Sequence, residues 1–253
     1  MIRLPNIPNR PEKPREKGLT MVMDKGISTL EAKMLIESSK DFIDIIKFGF
    51  GTALITKNIK EKIKLYHAHG IKVYLGGTLF EAFIARDMFQ EYCELILELE
   101  LNTVEVSDGS IKMDHNQKCE YINNLSNKNL TVFSEVGHKS SNKIMAPSKW
   151  IDMMAKEIDA GSWKVIAEAR ESGNVGLYRS GGEVRSDLIE EILTKIEKDQ
   201  ILWEAPQKKQ QVFFIKLLGE NVNLGNIGTN DVIPLECLRL GLRGDTFFNF
   251  IQK

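Results

Sequence analysis

Short apolar runs recur along the chain. Each ends in a polar or glycine-bearing cluster, and a stretch with helical spacing follows. The clearest is 102–109, where Val104 and Val106 alternate with Glu105 and Ser107 before the turn residues Asp108 and Gly109. Alternation of this kind has the period of a strand. The same pattern predicts strands at 19–23, 43–46, 71–75, 130–134, 164–167, 201–203 and 221–224. Between them, helices are expected near 57–69, 79–99, 148–159 and 236–242. Ser28 or Thr29 suits an N-cap with Glu31 in the first turn, and Gly70 and Gly161 suit helix ends.

Eight strand–helix units in 253 residues predict an α/β protein, a single (β/α)8 TIM barrel spanning 1–253. An arm over about residues 1–18, carrying Pro5, Pro8, Pro11 and Pro14, is expected to be extended. The Gly- and Ser-rich segment 173–182 reads as a mobile loop. An open doubly wound sheet is the competing architecture. No G-x-G-x-x-G lies between strand and helix, which weakens its dinucleotide-binding form.

Composition narrows the partners. The formal net charge is −1, so no basic field points to nucleic acid or to an anionic membrane. No apolar run reaches the ~20 residues of a membrane span, and the proline-bearing start lacks a signal-peptide core. Cys93, Cys119 and Cys237 are few and scattered, with no zinc spacing. A cytoplasmic protein with reduced thiols is expected. Barrel exteriors often associate, and Phe247, Phe248 and Phe250 near the end of the chain suit an interface, so a homo-oligomer is expected.

Barrel chemistry sits at the C-terminal strand ends. There the sequence places Asp24, Lys25, Lys47, Glu105, Asp108, Glu135, Lys139, Glu168, Arg170, Glu171, Glu204, Asn223 and Asn226. Acids converging on one mouth suit a hard divalent cation such as Mg²⁺. Lysines and Arg170 suit an anionic substrate. For any one acid, a salt bridge or helix cap is the competing role. Phosphate binding in such barrels often uses the loops after the last two strands, here 204–211 and 225–229. Lys208 and Lys209 either add charge there or begin an exposed helix. Trp150, Trp163 and Trp203 suit core or interface.

At these motifs the chain resembles the phosphosulfolactate synthase family. The matching stretches are 24–26, 44–52, 76–81, 105–109, 134–137, 168–173, 204–208, 223–227 and 238–247, in order along nearly the whole chain. Two positions depart from the expected pattern: His138, where a lysine or small residue is expected, and Gly225, where alanine is. The resemblance implies a (β/α)8 barrel that adds sulfite to phosphoenolpyruvate, with Mg²⁺, as a step toward coenzyme M. Sulfite sulfur attacks the methylene carbon, charge builds on the carboxylate, and a general acid protonates the adjacent carbon. The resemblance places Lys139 in that last role. With it go Lys47 and Arg170 as catalytic anion-binding groups. Glu105, Asp108, Glu135 and Glu168 are the expected metal shell, and Lys25, Gly76, Gly77, Ser172, Gly173, Asn223 and Asn226 the expected substrate contacts. Two alternatives stay open: a lyase or aldolase acting on another phosphorylated acid, and a non-enzymatic role like that of a plant heat-stress-associated protein of similar sequence.

Overall fold

The computed structural model describes residues 4–137, 145–169, 173, 176–179 and 181–251. Strands β1 (Thr20–Asp24), β2 (Ile45–Phe48), β3 (Lys72–Leu75), β4 (Thr103–Val106), β5 (Thr131–Val136), β6 (Lys164–Ala167), β7 (Ile201–Glu204) and β8 (Leu224–Gly228) form one parallel sheet. Helices alternate with them: α1 (Thr29–Ser39), α2 (Ile59–His67), α3 (Gly77–Ile84), α4 (Phe89–Glu98), α5 (His115–Asn127), α6 (Pro147–Asp159), α7 (Ser186–Leu193), α8 (Lys208–Leu218), α9 (Val232–Arg239) and the short α10 (Phe247–Phe250). The strand order is β3-β2-β1-β8-β7-β6-β5-β4. β3 and β4 lie against each other without a shared ladder, so the barrel closes all round except at one seam. This is the expected (β/α)8 barrel.

Alternation along the strands decides what lies on each side of the sheet. Val22, Ile46, Val73, Val104, Val132 and Val165 face outward and join the large core beneath the helices. Leu19, Met21, Ile45, Tyr74, Phe133, Ile166 and Leu202 fill the barrel interior, with Trp163 packed against them. Trp150 and Trp203 are buried in the outer core. Apolar side chains therefore plug the barrel interior, with Lys72 and Lys164 over the Trp163 ring below them, and the polar residues of the strand C-terminal ends lie beyond this plug.

Local chemistry sets the element ends. Ser28 caps α1 by accepting from Glu31 N, while Glu31 accepts from Ser28 N in a reciprocal box. The single long helix expected over 79–99 is instead α3 and α4. The chain breaks between them where Asp87 takes a left-handed φ of 56°. Strand β8 begins at Leu224 rather than Asn221, because the apolar alternation of Val222 and Leu224 runs on past the ladder. In the segment expected to be mobile, Leu177 and Tyr178 are buried and Tyr178 bridges Val184, so this part is anchored. No helix is long and apolar enough to cross a membrane among the described residues.

The N-terminal arm crosses the barrel's N-terminal pole. Arg15 Nε donates to Asp44 Oδ1 at 2.8 Å, and both side chains are buried. Asp44 Oδ2 accepts from Thr20 N at 2.8 Å, which ties the arm to the start of β1. Arg10 pairs with Glu236 at 2.9 Å and also donates to Asn221 and to the Gly18 carbonyl. Breaking one side of a buried ion pair leaves the other charge stranded. Arg15→Ala is therefore expected to lose about 3–5 kcal/mol of stability, read from urea unfolding. An unchanged midpoint would mean that the arm is not part of the cooperative fold.

Candidate active site

On four strands the barrel interior changes character two residues after a plugging side chain. Ile45 is followed by Lys47, Phe133 by Glu135, Ile166 by Glu168, and Leu202 by Glu204, all buried. The two-residue period keeps each pair on one face of its strand. Glu105, beside Phe133 in the β4–β5 register, joins them. Five ionisable groups thus form one polar layer directly above the apolar plug.

Lys47 is the hub of that layer. Its Nζ lies 2.9 Å from Glu105 Oε2, 3.6 Å from Glu135 Oε2 and 3.6 Å from Glu204 Oε1. Burial opposes its charge, but the carboxylates of Glu105, Glu204 and Glu135, together with Tyr74, outweigh burial and hold its pKa well above the usual lysine value. Lys47 is a fixed cation. Its charge is directed at carboxylates, so it serves the layer as counter-ion rather than standing open to an incoming anion.

Glu105 has both oxygens engaged, one by Lys47 and the other by Gly77 N–H at 2.6 Å. That second bond spans the seam between β3 and β4 and ties Glu105 to the first turn of α3. A second carboxylate spans the same seam: Glu81 on α3 accepts from Ser107 Oγ and, at 2.6 Å, from Ser110 N. The glycines expected as substrate contacts explain how this close fit is possible. A Cβ on Gly77 would fall on Ser107 Oγ and Glu105 Oε1. One on Gly76 would come within 2.9 Å of Phe48 O and Phe50 N.

Glu135, Glu168 and Glu204 each offer an oxygen within 4.8 Å of the other two, and all three are buried. Three hard oxygen donors at that spacing suit a divalent cation such as Mg²⁺. Burial, countered by Lys47 and reinforced by Glu135, raises the Glu204 pKa to about 7. Burial likewise raises that of Glu105, against the pull of Lys47. A carboxylate pushed up in this way gains from a positive neighbour, so the donor set fits a cation. Sequence reading placed Glu204 at the mouth but left it out of the metal shell. Its position two residues beyond Leu202, matching Glu135 and Glu168, was the available signal.

The remaining expected residues divide. Asp108 stands apart from the cluster, with its Oδ1 3.0 Å from Lys118 Nζ. Asp24 faces outward, paired with Lys62 at 2.5 Å and accepting from Tyr66 OH at 3.0 Å. Asp24 Oδ1 also accepts from Gly26 N and Ile27 N and so shapes the turn that carries exposed Lys25. Asn226 is buried on β8 with a left-handed φ of 56°, next to Gly225, the strand neighbour of Glu204. Gly173 O accepts from buried Gln210 on α8 at 2.8 Å. Lys208 and Lys209 begin α8; Lys208 pairs with Asp245 and Lys209 donates to Gly181 O. Lys139, Arg170 and Ser172 lie outside the described residues.

Asn223 is a correction. It was expected at the mouth but lies at the opposite pole, where its Oδ1 accepts from Leu19 N and its Nδ2 donates to Asp199 O and Ile201 O. The cause is the late start of β8: Asn223 precedes the strand, and its amide is spent joining strand starts.

A family model described as (2R)-phospho-3-sulfolactate synthase (ComA) matches residues 8–245. The phosphosulfolactate synthase of Methanothermobacter thermautotrophicus is 40% identical over 244 residues, covering 94% of this chain and 95% of that one. The phosphosulfolactate synthase of Bacillus subtilis is 40% identical over 245 residues, covering 96% and 97%. Protein HEAT-STRESS-ASSOCIATED 32 of Arabidopsis thaliana is more distant, 26% identical over 259 residues, covering 91% of this chain and 88% of that one. Among solved structures, 3-hexulose-6-phosphate synthase from Salmonella typhimurium superposes with a TM-score of 0.57 at 14% identity, covering 86% of this chain and 98% of that one. That likeness carries the fold alone. Matched along nearly its whole length, the chain belongs to the phosphosulfolactate synthase family, a family of enzymes.

Proposed function

We propose that the protein joins sulfite to phosphoenolpyruvate to give (2R)-phospho-3-sulfolactate, with Mg²⁺ held by Glu135, Glu168 and Glu204. The observation that carries this reading is the buried layer of four glutamates around Lys47 at the C-terminal end of the barrel. Burying so many charges opposes folding. A scaffold without chemistry has no need of them, which disfavours a non-enzymatic role like that of the distant plant relative.

A cation bound there supplies positive charge to the substrate carboxylate as negative charge builds on it. The remaining work falls to side chains. Lys47 keeps the carboxylates from repelling one another and stays protonated throughout. Glu105, fixed by Lys47 and Gly77 N–H, holds the first turn of α3 against β4 and so shapes one wall of the mouth. Lys25 at the rim and Arg170 draw the phosphate and sulfite charges inward. As the sulfur forms its bond to the methylene carbon, the double-bond electrons move toward the adjacent carbon and its carboxylate. Lys139 delivers a proton to that carbon.

The test is incubation with phosphoenolpyruvate, sulfite and Mg²⁺ followed by phosphorus NMR. A new phosphosulfolactate resonance that needs all three is expected. Folded protein with Mg²⁺ and no turnover would rule the reaction out, and a screen of other nucleophiles would then test the lyase alternative.

A further inference from the structure

Lys118 lies on α5, outside the polar layer, and is fully buried. Its Nζ donates to Glu135 O at 2.6 Å and to Asp108 Oδ1 at 3.0 Å, and pairs with Glu157 Oε1 on α6 at 2.8 Å. An ammonium has three protons, so these three acceptors use all of them. Burial opposes the charge, but Glu157 and Asp108 more than offset it and hold the pKa above the ordinary lysine value.

The ladder explains why the Glu135 carbonyl needs a donor. On one side of β5, Val136 O is taken by Glu168 N from β6. Carbonyls alternate in direction along a strand, so Glu135 O faces β4. The β4–β5 register ends one residue earlier, at Val106 paired with Ser134. Lys118 supplies the missing donor and also grips Asp108, two residues beyond the end of β4. The ammonium therefore bridges the gap between β4 and β5 at the level where Glu135 enters the carboxylate cluster. Glu157 supplies the counter-charge, and His115 Nε2 meets the same Glu157 oxygen at 3.1 Å.

We propose that Lys118 is a positioning residue: it fixes the main chain of Glu135 and the Asp108 loop relative to each other and thereby sets the spacing of the Glu135, Glu168 and Glu204 oxygens. This rests on the reading of that cluster as the working site. Groups that orient metal-binding residues typically contribute 10–100-fold to metal affinity or activity.

The experiment uses the full chain with two readouts, Mg²⁺ titration by calorimetry and steady-state turnover. Lys118→Arg keeps the charge, but its planar fork cannot meet three acceptors arranged around a point. It is expected to weaken Mg²⁺ about 10–100-fold and to lower kcat with KM for phosphoenolpyruvate little changed. Lys118→Met/Glu157→Gln removes both partners of the helix–helix pair, which guards against simple misfolding. It is expected to fold, as read by circular dichroism, and to show the same Mg²⁺ defect. Wild-type Mg²⁺ affinity and kcat in either folded variant would overturn the proposal and leave Lys118 a structural ion pair. If the wild type binds Mg²⁺ but does not turn over sulfite and phosphoenolpyruvate, the proposed reaction fails, and the titrations still decide the role of Lys118.

Discussion

Lys47→Met is expected to lower kcat/KM about 10³-fold and to destabilise the protein by about 3–5 kcal/mol at pH 8. Lys47 Nζ is 2.9 Å from Glu105 and 3.6 Å from both Glu135 and Glu204. A methionine would fill the same volume and leave those carboxylates without their shared cation. They would relieve the repulsion by taking up protons, so the loss of stability should shrink as the pH falls toward 5. The activity loss has a separate origin. Glu105 would no longer be held between Lys47 and Gly77 N–H, and the wall between α3 and β4 would lose its fixed position. The double variant Lys47→Met/Glu105→Gln separates the two effects. Removing both partners of a buried pair is often nearly neutral, whereas removing one is not. The double variant should therefore recover much of the stability but little of the turnover. Full activity in a folded Lys47→Met protein would rule out the hub role.

The architecture was legible because alternation and turn chemistry are local signals. Strand β6 falls on Lys164–Ala167 as read, and Ser28 with Glu31 makes the expected cap. The polar layer was legible in part. Glu135 and Glu168 follow inward Phe133 and Ile166 by two residues, a period visible in the chain once the strands are assigned. The same period applied to Leu202 points to Glu204 as a member of the carboxylate cluster. Asn223 went astray because alternation reports which face a residue takes but not where the ladder starts. Asp108 looked like a cluster member because its position beyond β4 is readable, whereas its partner is not. Lys118 sits ten residues further along, within a polar helical stretch, and nothing local marks it as buried. The seam between β3 and β4 is equally invisible. Strands β3 and β4 are adjacent in the chain, and only the three-dimensional structure shows that carboxylates accepting from main-chain N–H groups, rather than a shared strand ladder, join them at the mouth.

Protein stripped of divalent ions is expected to lose stability as the pH rises from about 4.5 to about 7, and Mg²⁺ is expected to restore it. The sign follows from Glu204, whose pKa burial raises from 4.5 to about 7. A carboxyl that binds its proton more tightly when folded favours the folded state below its unfolded pKa. That contribution fades as the pH passes through the folded pKa. Above it, the cluster carries charge that a cation would offset. At a Mg²⁺ concentration 100 times its dissociation constant, binding stabilises the fold by about 2.7 kcal/mol. For a chain of this size that is roughly a 5–10 °C rise in Tm. The rise should be large at pH 8 and small at pH 5.5, where protons compete for the same oxygens. Glu204→Gln removes the titrating carboxyl, so it should flatten the pH dependence of the metal-free protein and reduce the Mg²⁺ response at pH 8. A Tm at pH 8 that ignores Mg²⁺ and Mn²⁺ alike would mean that Glu135, Glu168 and Glu204 hold no divalent cation, and the charge on the substrate carboxylate would then have to be met without a metal at this cluster.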